Sequence, residues 1–226
     1  MVMQRRRIPV LDSFFDRVSL LLWPRLKAVI VANIRSVRGA NPRKLGTVDL
    51  SKHYVSKRYA EFAVSVLSLQ SGGADGGVGG GGDGMLTQDL LQLRTDVTSL
   101  LEKMAQLLTT NKDRAVFLIN NYDQILSTFQ ERRLVCDETQ RFEELLLRQR
   151  EIFAEEEIRL SFPRMVSFVI QTEHALQGVD SGDVRSALSL DEILVESLVK
   201  EFSANWRVGV QQINGWFSFH DLYLLC

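Results

Sequence analysis

Apolar positions recur at helical spacing in almost every long stretch of the chain. From Ile8 to Gly39 the sequence reads IPVLDSFFDRVSLLLWPRLKAVIVANIRSVRG. Phe14, Phe15, Val18, Leu21, Leu22, Leu26, Val29, Ile30 and Val37 step along it by threes and fours. A stripe that wide predicts a helix with a broad buried face. Asp12 suits its N-cap and Gly39 its stop. Pro24 lacks an amide donor and crowds the preceding turn, so a kink is expected near Leu20–Trp23. A connector, ANPRKLGTVDLSKH, leads into a second helical stretch, YVSKRYAEFAVSVLSL, and the two read as a helical hairpin.

Further along the period sharpens. Leu86, Leu90, Leu93, Val97, Leu100, Met104 and Leu107 advance by four and three over three heptads. A seam of that length serves equally as one helix of a bundle or as a dimer interface. Asn111, Lys112 and Asp113 mark a break, after which Ala115, Leu118, Ile119, Tyr122, Ile125, Leu126 and Phe129 form the next stripe. Asn120 and Asn121 fall in the middle of that helix, where asparagine is a weak former. Bonding to a neighbouring backbone is the favoured reason for them. The stretch from Asp137 to Leu160 turns Phe142, Leu145, Leu146, Gln149, Ile152 and Phe153 inward, and Glu155, Glu156 and Glu157 are expected on a solvated face. Pro163 suits the first position of a following helix. After a short loop, GVDSGD, the last stretch carries Val195, Leu198, Val199, Phe202, Trp206, Ile213 and Phe217. The apolar ending DLYLLC has no cap or polar tail, which suggests a truncated or altered C-terminus.

The expected fold class is all-α, built as elongated stacked helical bundles. Three segments are anticipated: a basic helical hairpin over 1–70, a glycine-rich insert over 71–84, and a helical rod over 85–226. The insert, SGGADGGVGGGGDG, has the composition of a flexible linker. It matches the dinucleotide glycine pattern at Gly77-Val78-Gly79-Gly80-Gly81-Gly82, but a tract this rich in glycine does so by chance. No Gly-Lys-Ser/Thr follows it, and the stretch before it reads as helix rather than strand.

With 226 residues, 45% of them apolar, the chain can bury a real core. No apolar run approaches the roughly 18–20 residues of a membrane span, and MVMQRRRIPVLD lacks the apolar core of a signal peptide. Two cysteines, Cys136 and Cys226, cannot make a disulfide framework and fit a reducing, cytosolic setting. Charge changes the picture more. Met1–Gln70 holds 13 Lys+Arg against four Asp+Glu, a net of +9, and Ser71–Cys226 holds 14 against 24, a net of −10. The basic third could meet an anionic lipid surface or an acidic partner; equally, it could face the acidic helices of its own chain. Its basic residues lie dispersed on helices with no nucleic-acid reader motif, so nucleic acid is not expected. The candidate partner-binding residues are Arg35, Arg38, Arg43, Lys44, Lys57 and Arg58.

Catalytic patterns are absent. His53, His174 and His220 share no ligand spacing with the cysteines. There is no Gly-x-Ser-x-Gly elbow and no His-Glu-x-x-His. His53, beside Tyr54 at a helix start, suits a local structural role. The chain therefore reads as an adaptor rather than an enzyme, with no cofactor.

Several of these blocks resemble a known family. IPVLDSFFDRVSLLLWPRLKAVIVANIRSVRGANPRKLG, HYVSKRYAEF, VFLINNYDQIL and FEELLLRQREIFAEEEIRLSFPRMVSFV are similar to blocks of vacuolar protein sorting-associated protein fifty-two. The unusual wording of Leu22–Arg25, His53–Phe62 and Val116–Tyr122 makes the likeness specific. The resemblance implies a subunit of the Golgi-associated retrograde protein complex and of its endosomal counterpart. Such a complex tethers endosome-derived vesicles at the trans-Golgi network, through helical-rod subunits that contact Rab-type GTPases and SNARE proteins. That implies a cytoplasmic protein held peripherally on trans-Golgi and endosomal membranes. Three departures are expected: no N-terminal coiled coil, an added glycine tract, and a different ending after about Trp206. A generic coiled-coil scaffold or cytoskeletal adaptor, resting on the Leu86–Leu107 seam, is the competing class.

Overall fold

A computed structural model describes residues 12–71, 83–176 and 192–216, in which helix is the regular secondary structure and the fold class is all-α. Seven helices follow in order among the described residues: α1 (Asp12–Arg38), α2 (Tyr54–Ser71), α3 (Asp83–Ala105), α4 (Asn111–Glu131), α5 (Asp137–Ser161), α6 (Pro163–Leu176) and α7 (Glu192–Trp216). Most of the glycine tract, the GVDSGD loop and the DLYLLC ending lie outside the described residues. At its edges the tract gives way to helix, with Ser71 closing α2 and Asp83 and Gly84 opening α3. The chain divides into two compact units, residues 1–150 and 151–226.

Within the first unit, α3 is the central element, packing against α1, α2 and α4, while α2 also packs along α4. Six of the seven seam residues explain that position: Leu86, Leu90, Leu93, Val97, Leu100 and Met104 are all buried. Leu107 is 39% exposed because α3 ends at Ala105 and leaves it in the turn. The break also falls earlier than Asn111: Thr110 caps α4 by accepting a hydrogen bond from Asp113 N at 2.9 Å, so Asn111–Asp113 are already its first turn. The whole predicted stripe of α4 is buried, from Ala115 to Phe129. In α5, Phe142 lies against the rings of Tyr59 and Tyr122, with centroids 5.6 and 5.8 Å away.

The stripe of α1 departs from expectation. Ile30 is fully buried, in a cluster with Val66, Leu86 and Leu90, and Leu26 and Ile34 pack partly against it. Leu21 and Leu22 are 71% and 57% exposed, and Phe14 and Val29 are exposed as well. Lys27 pairs with Asp89 and Arg38 with Asp96, so α1 and α3 run in the same direction. Asp89 is only six residues into α3, so the opening turns of α1 run past its start. One stripe of α1 therefore meets the core, and the rest of its apolar surface does not. The helix continues through Pro24.

In the second unit, α6 begins at Pro163 as the sequence indicates. The Phe162 ring meets Phe202 at a tilt with centroids 4.9 Å apart, Arg164 pairs with Glu201 at 3.1 Å, and Leu198 is buried. Val199, Phe202 and Trp206, expected on the inner stripe, are 55%, 42% and 42% exposed, although Phe202 keeps its contact with Phe162. Two positions of the α5 pattern are corrected. Ile152 is at the surface, and Glu157 is only 4% exposed rather than solvated, because it shares a face with buried Phe153 one turn earlier.

Candidate partner-binding surface

The connector between α1 and α2 carries the centre of the candidate surface. Gly39 N closes α1 on Arg35 O at 3.0 Å, and Pro42–Lys44 then form a single 3-10 turn. Asn41 caps that turn by accepting from Arg43 N at 3.0 Å. Gly46 follows with φ of +108°, a left-handed conformation that a side chain would strain. Asp49 accepts the hydroxyl of Ser51 and also its amide, the latter at 2.8 Å, and these two bonds hold its carboxyl below the usual carboxylate range.

What holds the connector is a buried amide on α4. Asn121 is fully buried; its Oδ1 accepts from His53 N and from Ser56 Oγ, both at 2.8 Å. Its Nδ2 donates to Phe117 O at 2.7 Å within α4 and to Ser51 O at 3.4 Å. Asn120 Nδ2 donates to Leu50 O at 2.6 Å, and Lys52 pairs with Asp123 at 3.1 Å. The two asparagines thus act structurally, on backbone about 70 residues away. His53 opens α2: its Nδ1 accepts from Val55 N at 3.3 Å, which leaves the proton on Nε2, 3.3 Å from Leu45 O. Burial lowers the His53 pKa, against the opposing pull of Leu45 O and Asp49.

A second buried node joins α2, α3 and α5. Glu138 accepts from Tyr59 Oη at 2.8 Å and from Arg94 Nη1 at 3.0 Å. Burial raises its pKa despite both partners, and burial likewise raises that of Tyr59. The two bonds offset part of the cost of burying that carboxylate. Nothing in the local sequence around Glu138 signals the node, because its partners lie 44 and 79 residues away.

The six candidate residues all lie at the surface but do not form one uniform patch. Arg35 and Arg38 occupy the last turn of α1, Arg43 and Lys44 the 3-10 turn, and Lys57 and Arg58 the first turn of α2. Arg38 is engaged with Asp96, Lys57 stands 4.0 Å from Glu61, and the Arg58 guanidinium lies 5.0 Å from the centre of the Tyr54 ring. Arg35, Arg43 and Lys44 make no ion pair among the described residues. Lys27, Arg38 and Lys52 tie the basic third to Asp89, Asp96 and Asp123 on later helices, so part of the charge asymmetry is answered within the chain. Among the described residues no helix is long and apolar enough to cross a membrane, and no group of three or more His, Cys, Asp or Glu is placed to hold a metal.

The family model described as Vps52, C-terminal, matches residues 1–154. The chain belongs to the Vps52 family. It is 37% identical over 212 residues to vacuolar protein sorting-associated protein 52 B of Arabidopsis thaliana, covering 93% of this chain and 28% of that protein. With the Homo sapiens homologue it shares 30% identity over the same shares of each chain. The Caenorhabditis elegans homologue is 28% identical, covering 94% of this chain and 30% of its own length. The chain thus spans less than a third of the length of these Vps52 relatives. No solved structure matches it. The Vps52 match ends at residue 154, close to where the first compact unit ends, so the clamped connector and both buried nodes lie inside the matched region.

Proposed function

We propose that this chain is a helical protein-interaction arm of a multisubunit vesicle-tethering complex acting in retrograde transport from endosomes to the trans-Golgi network. It works from the cytoplasmic side, held peripherally on trans-Golgi and endosomal membranes. The other tether subunits, a Rab-type GTPase and SNARE proteins are its partners, and an anionic membrane surface is a further contact. The observation that carries this reading is the connector: Arg43 and Lys44 stand exposed on its 3-10 turn, and Asn120 and Asn121 hold its far end at Leu50–His53. A fixed loop loses little entropy on binding, and a basic one speeds encounter with an acidic partner. The competing scaffold reading needs the Leu86–Leu107 seam for a second chain, and six of its seven residues are covered within this one.

The test reverses Arg43, Lys44, Lys57 and Arg58 to glutamate together, with helicity checked by circular dichroism. Binding to the GTPase and to phosphatidylserine vesicles is then measured across a salt series. The proposal expects salt-sensitive binding that the reversal weakens at least tenfold. Unchanged binding to both would remove the basic connector from the account.

A further inference from the structure

The α1 helix has two apolar faces, and the described residues of the first unit cover only one. At about 100° per residue, Leu26, Ile30 and Ile34 point to one side, where they meet the core. Leu21, Leu22, Arg25, Val29 and Ala32 fall within an arc of about 100° centred some 130° round the helix from that core stripe. Leu21 is 71% exposed, Leu22 57% and Val29 50%, and Arg25 and Ala32 are exposed with them. Arg25 sits mid-stripe, one turn from Leu21 on one side and from Val29 on the other, and makes no ion pair among the described residues.

We infer that this outer face of α1 receives a helix of another protein that carries a carboxylate within its own apolar stripe, opposite Arg25. Three alternatives fit less well. An interfacial helix on a bilayer keeps its basic residues on the polar side, whereas Arg25 lies among the leucines that would enter the lipid. A second copy docking through the same face would bring Arg25 against Arg25, with no acidic residue in the arc to offset the repulsion. An apolar ligand alone would leave the guanidinium desolvated and unpaired. A helix with alternating leucine-type contacts and one Asp or Glu satisfies both the stripe and the charge. Ala32 at the end of the face lets such a helix approach closely. This face is separate from the basic connector, so the inference stands or falls independently of the function proposed above.

The test places a photo-crosslinking amino acid at Leu22 of the full chain, expressed in its own cells, and maps the crosslinked peptides. The expected peptides come from another protein, have helical apolar spacing, and carry Asp or Glu on that stripe. Arg25→Glu should reduce the crosslink at least tenfold, and exchanging the partner's carboxylate for lysine should restore it. Leu21→Asp should abolish it while leaving the melting temperature unchanged, since neither residue contributes to the core. Crosslinks to phospholipid, to a second copy of this chain or to no partner at all would overturn the inference. So would a crosslink indifferent to Arg25→Glu.

Discussion

Asn121 makes four hydrogen bonds with one amide, two accepted and two donated, and three of them reach the connector or the start of α2. Replacing it with alanine leaves His53 N and the buried Ser56 hydroxyl without that acceptor. The expected cost is about 1–3 kcal/mol of stability, read from urea unfolding. A loss under about 0.5 kcal/mol would mean that the connector is not held this way. His53 adds a pH dependence of definite sign. Its pKa is lowered on folding from the ordinary 6.5, so its neutral form contributes stability that is present above pH 6.5. That contribution is lost as pH falls through the lower folded value. Unfolding free energy should therefore drop on acidification from pH 7 towards 5.5, and His53→Gln should flatten that part of the curve. At this scale the sequence was only half legible. Mid-helix asparagines signalled a bond to backbone, but nothing in their spacing could say which backbone, some 70 residues away. Glu157 departs from its pattern for a related reason: three adjacent glutamates look solvated until one shares a face with a buried phenylalanine.

Helical periodicity placed the seam of α3 and the stripe of α4 almost residue for residue, because both faces are covered by neighbours from the same chain. It misplaced α1 for a physical reason: a period tells which residues share a face, and burial depends on what lies opposite. Two leucines of similar standing in the pattern should therefore differ in energy. Leu93→Ala, in a site 3% exposed, is expected to cost about 2–5 kcal/mol. Leu21→Ala, in a site 71% exposed, should stay within about 0.5 kcal/mol. Paired thermal melts of the two variants would check this, and equal losses would contradict the packing described for α1. The α3–α4 junction carries the same lesson in smaller form. Thr110, rather than the polar run after it, sets the start of α4, since its hydroxyl reaches an orphan amide of the first turn.

At the level of the whole chain, opposite charge in the two parts of the sequence has a partial internal answer. Lys27, Arg38 and Lys52 each meet an aspartate on α3 or α4, and Arg35, Arg43 and Lys44 remain outside those pairs. Composition could suggest either outcome, but dividing the residues between them required the fold. All-helical class and family membership were legible from the blocks themselves, because long stripes and unusual wording survive without coordinates. The leucine seam is covered inside one chain, which leaves other surfaces to bind partners. Sedimentation equilibrium of the 226-residue chain over a wide range of concentration tests it most directly. The predicted result is a single species of 25.7 kDa at every concentration, with Leu93→Asp unfolding it. A concentration-dependent dimer that Leu93→Asp converts to a folded monomer would contradict it.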